Sequence, residues 1–376
     1  MYSKTIRVIG LFVVVLCFVI TASEPTESAM SKPPLTIVSW GGAYTKSQML
    51  AYVRPYRQMR DRWVNVEEFN GGLAEIREQV RSLNVKWDVV DMQLSDAVRG
   101  CKEGLFEKID FAILSPSPDG TLAAKDYYEE TIQDCVVGQN IWATVIAYRP
   151  GQFSGKEPTT LADFFDFENF PGTRGLRKSP EVNLEWALMA DGVPPNEVYR
   201  VLSTEAGVNR AFEVLDRINE DIVWWDKGAH PPELLRAGKV VMTSVWNGRI
   251  YNSIKELGED FVIVWDGQIR DLEVWVIPKG TNNLEEALDF LVFSSDPKRM
   301  AMQAQYIGYG PARKSSMAFI GDEVRRNLPT AKENARNSLQ FNFSWWADNK
   351  VAMEKRFSKW LSEKPWRYDF SADGGN

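Results

Sequence analysis

The chain has 376 residues, with 51 acidic and 44 basic side chains, one histidine, three cysteines and a formal net charge of −7. This composition is that of a globular protein of about two domains, and it excludes collagen-like, coiled-coil and disordered classes. The negative charge argues against a nucleic-acid binder. The lone His230 excludes Ser-His-Asp, Cys-His and multi-histidine metal chemistry unless it serves alone, so no metal or cofactor is expected.

The N-terminal segment has the order of a secretory signal. Lys4 and Arg7 precede an apolar run over 8–20, and small residues at 21–23 offer a cleavage site. The run is shorter than the about 20 residues that span a bilayer, so an uncleaved anchor is the alternative. We therefore predict a signal peptide at 1–23 and a periplasmic mature protein.

Export makes two cysteines informative. Cys101 and Cys135 form an even pair in an oxidising compartment, where disulfides persist. A bond between them would close a loop of roughly 34 residues and stabilise the fold by about 3–4 kcal/mol. The alternative is a pair of buried thiols.

Strands and helices alternate through the first 150 residues. Strands are predicted at 35–40, 64–69, 87–90 and 141–148, with helices from about residue 45, from residue 73 and up to Gly104. This alternation favours an α/β sheet of the parallel type with both faces covered. The segment Arg149-Pro150-Gly151 and the composition after it place a domain crossing near 145–150.

The second half of the chain alternates again. Helices are predicted at 182–190, 196–202 and 208–218, and strands at 222–225, 240–246, 261–265 and 272–277. Asn283 and Asp296 are candidate caps of two further helices, and the tail at 348–361 has helical spacing. His230 is predicted to lie in a surface loop.

Several segments together are typical of one family. They are Ser39-Trp40-Gly41-Gly42, Cys101-Lys102-Glu103-Gly104-Leu105, and the runs at 174–178, 183–188, 223–225, 240–249 and 306–311. In this order they resemble the bacterial extracellular solute-binding proteins of ABC importers, of the spermidine/putrescine-binding type. The resemblance covers about residues 35–365.

The resemblance implies a two-lobe periplasmic binding protein fold (type II), an α/β fold with mixed sheets flanked by helices. Lobe one would comprise 35–145 plus 274–317, and lobe two 146–273 plus 318–376. A small amine or amino acid would bind in the cleft between the lobes, and the closed form would dock on the importer's transmembrane permease. We expect a monomer that catalyses no reaction.

The resemblance also implies ligand contacts. In polyamine binders aromatic faces hold the methylene chain and carboxylates hold the ammonium groups. The matching aromatic positions are Trp40, Trp246 and Tyr309, with Tyr44 near the first of them. Gln93 and Ser95 follow the third strand, where the family also contacts ligand. For each of these residues an ordinary packing or capping role is the alternative.

Two acids precede the strand at 274–277. Counting back from Ile277-Pro278 puts Glu273 on the position of the family's ammonium-binding acid and Asp271 on that of an aromatic residue. We expect one of the two to contact the ligand. A solvated pair at a strand edge is the alternative.

Two departures from the polyamine pattern favour a different ligand. The segment Arg177-Lys178-Ser179-Pro180-Glu181 is mostly basic where the family is acidic. Arg249 starts a predicted helix beside the cleft, a position that suits a carboxylate if the side chain faces inward. A polyamine such as putrescine or spermidine is the main reading, and an ω-amino acid such as 4-aminobutyrate, with its carboxylate on Arg249, is the alternative.

Other functions have weaker support. An exported hydrolase could use Asp271 and Glu273 as paired carboxylates, and a sensor or adhesin could reuse the same fold. The pair Tyr127-Tyr128 is similar to the paired tyrosines of ferric-ion binders in related folds, but its place early in the first lobe argues against a metal site.

Overall fold

Residues 33–363 and 368–369 are described by a computed structural model. The predicted signal peptide at 1–23 lies outside the described residues. No helix among the residues described is long and apolar enough to cross a membrane.

The strands of the described chain join in one mixed sheet. They are β1 (Leu35–Ser39), β2 (Val64–Glu68), β3 (Val89–Gln93), β4 (Ile132–Gln133), β5 (Val136–Tyr148), β6 (Arg174–Arg177), β7 (Ile222–Trp225), β8 (Met242–Trp246), β9 (Val262–Val276), β10 (Gly310–Pro311), β11 (Leu339–Gln340) and β12 (Tyr368–Asp369). Their main order is β12-β7-β6-β8-β5-β9-β3-β1-β2, while β4 and β10 pair with β5 and β11 pairs with β9.

Helices flank this sheet. They are α1 (Gly42–Gln48), α2 (Arg54–Arg60), α3 (Ala74–Arg81), α4 (Leu94–Lys102), α5 (Ala123–Asp126), α6 (Leu161–Phe165), α7 (Asn183–Ala190), α8 (Val198–Leu202), α9 (Glu205–Asp216), α10 (His230–Arg236), α11 (Asn247–Leu257), α12 (Leu284–Ser294), α13 (Pro297–Ile307), α14 (Asp322–Arg326) and α15 (Phe343–Ser362). A π-helical turn, Met49–Val53, joins α1 to α2. Thr160 caps α6 and Asp296 caps α13, because their side-chain oxygens accept backbone N–H groups of the first turn.

Two long antiparallel strands, β5 and β9, run through the centre of the sheet. Strands β3, β1 and β2 continue it on one side, and β8, β6 and β7 on the other. The strands predicted at 261–265 and 272–277 are both parts of β9. Gly267, with φ at +72°, is accommodated within the strand, and the pairing register shifts between Thr144 and Ile146 of β5.

Separate hydrophobic clusters support the two sides of the sheet. The cluster on the β6–β8 side contains the buried rings of Trp186, Trp224 and Trp346. On the other side, Tyr52 and Trp275 belong to a cluster packed around β1. A third aromatic cluster, centred on Trp246, lies where the two sides meet.

Local predictions need two corrections. His230 is the first residue of α10 and does not lie in a loop; Pro231 and Pro232 fit the first turn, where no intrahelical N–H bond is needed. The first helix begins at Gly42 and not near residue 45.

The predicted disulfide is present in the structure. Cys101, in the last turn of α4, is bonded to Cys135, which directly precedes β5, with a Cα–Cα distance of 6.3 Å. This bond links the end of α4 to the start of β5, one of the two long central strands.

Candidate ligand-binding cleft

Seven of the eight predicted ligand residues line one cavity of about 270 Å³, which we call the first cavity. Its walls are Trp40, Tyr44, Gln93, Trp142, Trp246, Arg249, Glu273 and Tyr309. Trp40 follows β1, and Gln93 and Trp246 end β3 and β8. The carboxyl ends of strands are the usual ligand sites of open α/β sheets, which explains why these distant residues meet.

Glycines position Trp40. A Cβ added at Gly71 would lie 2.6 Å from Cη2 of Trp40, so only a bare backbone leaves room for this ring. Gly41 adopts a positive φ of 78° and turns the chain into α1 directly after the tryptophan. The indole Nε1 of Trp40 donates to Oε2 of Glu273 at 3.2 Å.

Trp246 is the centre of the aromatic wall. Its ring centroid lies 6.0 Å from that of Trp40, 5.7 Å from that of Trp142 and 5.9 Å from that of Trp225, all in edge-to-face geometry. Sequence reasoning missed Trp142. Its only signal is its position in β5 directly opposite Asp271, and that pairing follows from strand register.

Arg249 points into the first cavity and is 4% exposed. Its Nη1 donates to the carbonyl of Gly41 at 2.7 Å and its Nη2 to that of Trp40 at 3.0 Å, while Nε has no hydrogen-bond partner. Burial lowers the pKa of the guanidinium. Among the described residues it forms no ion pair, so the cavity holds a cation whose counter-ion is not supplied by these residues.

Glu273 shares its buried surroundings with Asp91, which sequence reasoning also missed. Oδ2 of Asp91 accepts hydrogen bonds from the Tyr44 hydroxyl at 2.7 Å and from Nε2 of Gln139 at 2.8 Å. Burial raises the pKa of Asp91 to about 6. Burial, followed by the nearby charge of Asp91, raises the pKa of Glu273 well above its usual range. Both carboxyls therefore hold a proton to higher pH than an exposed acid does.

Asp271 lines a second cavity of about 380 Å³, which shares Gln93, Trp142 and Trp246 with the first. We call it the second cavity. Nε2 of Gln93 donates to Oδ2 of Asp271 at 3.2 Å. Burial raises the pKa of Asp271 to about 7. The remaining walls of the second cavity are Thr144, Arg177, Glu181, Val182, Asn183, Trp225, Ser244, Ile269 and Phe341.

The other residues singled out lie elsewhere. Ser95 is buried in α4 and lines neither cavity. His230 Nδ1 lies 3.1 Å from Oδ1 of Asp226, also outside both cavities. Tyr127 is buried and forms a β-bridge with Arg313. Within the described part of the chain, no three or more His, Cys, Asp or Glu side chains are grouped to hold a metal ion.

A cleft walled by aromatic and charged side chains, at strand ends in the middle of a mixed α/β sheet, is typical of a ligand-binding site. The chain belongs to the bacterial extracellular solute-binding protein family, whose profile matches residues 51–330. The fold is the two-lobe periplasmic binding protein fold that the sequence predicted. The class is the solute-binding component of an ABC importer.

Individual relatives refine this comparison. The gamma-aminobutyric acid-binding protein of Pseudomonas aeruginosa is 37% identical over 347 residues, which are 92% of this chain and 94% of that protein. The structure of an ABC transporter substrate-binding protein from Bradyrhizobium japonicum is 33% identical, with a TM-score of 0.78 over 87% of this chain and 99% of that one.

A solved GABA receptor structure, that of Atu4243, is 26% identical, with a TM-score of 0.76 over 89% of this chain and 99% of the other. The matched relatives are solute-binding proteins of transporters rather than enzymes. The ligand in the names of two of them is gamma-aminobutyric acid and not a polyamine.

Proposed function

We propose that this protein captures a short ω-amino acid such as 4-aminobutyrate in the periplasm and delivers it to an ABC importer permease. The carboxylate would bind Arg249, the ammonium group would bind Glu273, and the methylene chain would lie between Trp40 and Trp246. The similarity to a gamma-aminobutyric acid-binding protein supports this choice of ligand.

The observation that carries the proposal is that Arg249 lines the first cavity and forms no ion pair with any residue that the structure describes. A buried charge without a partner is costly, and a carboxylate is the natural partner of a guanidinium. The free Nε is a donor available to such a carboxylate, and Glu273 lines the same cavity. A ligand with one anionic and one cationic end complements this arrangement.

A diamine suits the cleft less well. It would bring a second ammonium near Arg249 and leave that cation without a counter-ion. Glu181 is the acid at the position where polyamine binders are acidic, and it is already paired: Lys350 Nζ lies 3.1 Å from it and Arg177 3.7 Å. The polyamine reading is therefore the second candidate.

The domain boundaries predicted from the sequence suggest how ligand binding would close the two lobes. With lobe one at 35–145 plus 274–317 and lobe two at 146–273 plus 318–376, Trp40 and Arg249 belong to different lobes. The hydrogen bonds from Arg249 to the Trp40–Gly41 backbone would then form across the cleft. A ligand that binds both sides would favour the closed form that the permease recognises.

The test is calorimetry with 4-aminobutyrate, putrescine and spermidine on the wild type, Arg249→Met and Arg249→Lys. We expect 4-aminobutyrate to bind the wild type and to raise its stability by about 2.7 kcal/mol at 100 times Kd. Arg249→Met should lose at least about 100-fold in affinity, because the carboxylate loses its charged partner. Arg249→Lys should recover only part, because an ammonium lacks the planar fork.

The matched control is Arg236→Met, which removes an exposed arginine paired with Glu259 outside both cavities. It should bind like the wild type. Thermal unfolding of each variant verifies the fold. Binding of putrescine without any amino acid, or unchanged 4-aminobutyrate affinity in a folded Arg249→Met variant, would overturn the proposal.

A further inference from the structure

The second cavity contains buried polar atoms that have no hydrogen-bond partner. Apart from Oε1 of Glu181, which forms an ion pair with Lys350, they are, within the described part of the chain, Nε1 of Trp142, Nε1 of Trp225, Oγ of Ser244 and Oδ1 of Asn183. Buried polar groups in folded proteins are nearly always hydrogen-bonded, so several orphans on the walls of one cavity require an explanation. A polar group of the ligand would supply the missing partners.

Donors outnumber acceptors among these atoms. Both indole nitrogens can only donate, and the Ser244 hydroxyl can also donate. Arg177 adds a cation to the same cavity, with its guanidinium carbon 5.3 Å from the centroid of Trp246. It lies 3.7 Å from Glu181, whose shorter ion pair, at 3.1 Å, is with Lys350. A group that accepts hydrogen bonds and carries negative charge, such as a carboxylate, matches these walls.

Trp246 has a guanidinium near its ring in each cavity. Arg249 lies 5.7 Å from the ring centroid and lines the first cavity, while Arg177 lines the second. Asp271 and Glu273 are two positions apart in β9, so their side chains point to the same face of the sheet. Asp271 lines the second cavity and Glu273 the first. From the first cavity to the second, the order of these side chains is therefore Arg249, the acids Glu273 and Asp271, and Arg177.

The backbone of the second cavity is strained at Val182. This β-branched residue has a φ of 72°, a conformation that glycine tolerates and valine rarely adopts. Such strain persists where surrounding structure enforces it, commonly at ligand sites. It places the polar start of α7, including Asn183, on the cavity wall.

We propose that the second cavity is a subsite for an anionic arm on the nitrogen of the ω-amino acid. The inference rests on the proposed function, in which the nitrogen lies at Glu273. The ligand class is a secondary amine that carries two carboxylates, one for Arg249 and one for Arg177. An alkyl arm keeps the nitrogen charged, whereas an acyl arm would neutralise it and leave the acids without a cation.

The test compares 4-aminobutyrate with N-(carboxymethyl)-4-aminobutyrate by calorimetry on the full chain. The extended ligand should bind the wild type at least about tenfold more tightly. Ser244→Val, which fills part of the second cavity, should bring the ratio of the two affinities close to one. Trp225→Phe keeps a ring but removes the N–H donor, and should lower the ratio at least about threefold.

The control is Ser294→Ala, a buried serine of α12 that lines neither cavity, in which the ratio should stay that of the wild type. If the wild type binds 4-aminobutyrate and the extended ligand is no tighter, the second subsite is wrong and the proposed function stands. If the ratio of the two affinities is unchanged in both Ser244→Val and Trp225→Phe, the second subsite is likewise wrong and the proposed function stands. If neither ligand binds, the proposed function itself is wrong.

Discussion

The ammonium nitrogen of Lys350 lies 2.9 Å from Oδ2 of Asp96, and both side chains are less than a tenth exposed. Lys350 belongs to α15 and Asp96 to α4, so the pair joins the C-terminal helix to a helix of the first hundred residues. The same nitrogen also pairs with Glu181. Lys350 is therefore the nearest cation of two buried acids beside the second cavity.

Lys350→Met should destabilise the protein strongly. The substitution keeps a long apolar side chain but removes the nearest cation of Asp96 and Glu181, which retain only the longer contacts to Arg99 at 3.4 Å and Arg177 at 3.7 Å. Breaking a buried ion pair from one side costs about 3–5 kcal/mol. We expect this loss in the free energy of unfolding measured by urea titration at pH 7.

The matched control for Lys350 lies between the same two helices. Lys102 Nζ and Asp348 Oδ1 are 2.8 Å apart, but the two side chains are 56% and 63% exposed. Lys102→Met should therefore cost less than about 1 kcal/mol, as exposed pairs do. Equal losses in the two variants would show that burial does not set the energy of the Lys350 pair.

Glu273→Gln should weaken 4-aminobutyrate binding more than Asp271→Asn does. Glu273 lines the first cavity together with Arg249, whereas Asp271 lines the second. Removing the charged partner of a buried ammonium costs about 2–5 kcal/mol, which corresponds to at least about 30-fold in Kd. We expect less than about tenfold for Asp271→Asn, measured by calorimetry; the reverse order would move the ammonium group to the second cavity.

Stability of the free protein should fall as the pH rises from 5 to 8 because of its buried acids. Burial raises the pKa of Asp91 to about 6 and that of Asp271 to about 7, above the about 3.9 of an unfolded aspartate. In this window the folded state binds more protons than the unfolded state, so each increase in pH favours unfolding. Asp271→Asn should flatten this slope in urea titrations; an unchanged slope would contradict the role of Asp271.

Ligand affinity should show the opposite dependence on pH. The ammonium of 4-aminobutyrate favours an ionised Glu273, so binding should release a proton and become tighter between pH 5.5 and 8. Both ligand groups keep their charges over this range. Calorimetry at pH 6 in two buffers of different ionisation enthalpy counts the released protons, and a count of zero would exclude Glu273 as the group that loses one.

The family resemblance was sufficient to predict Trp40 and Trp246 as walls of the cleft, and the strand pattern explains why they meet. Trp40 directly follows a strand and Trp246 ends one, and carboxyl ends of strands meet at one edge of an α/β sheet. The glycines after Trp40 indicated a turn where the backbone could approach a ligand. Whether Arg249 faced inward depended on helix packing, which no local pattern encodes.

Contacts that depend on strand register could not be predicted. Trp142 reaches the cavity because β5 places it opposite Asp271, and Asp91 becomes a close neighbour of Glu273 through the pairing of β3 with β9. The dipeptide Asp266-Gly267 is a turn signal in isolation, yet β9 continues through it. Pairing between distant segments decided these outcomes.

The disulfide should contribute most of its stability through the unfolded chain. Cys101 and Cys135 are 34 residues apart, and closing a loop of that length removes about 3–4 kcal/mol of chain entropy from the unfolded state. A Cys101→Ser, Cys135→Ser double variant should lose this amount in denaturant titrations. Neither residue lines a cavity, so its affinity for 4-aminobutyrate should remain within about twofold of the wild type. A loss below about 1 kcal/mol would mean that the unfolded chain already holds these segments together, whereas a large loss of affinity would show that the bond positions the cleft as well.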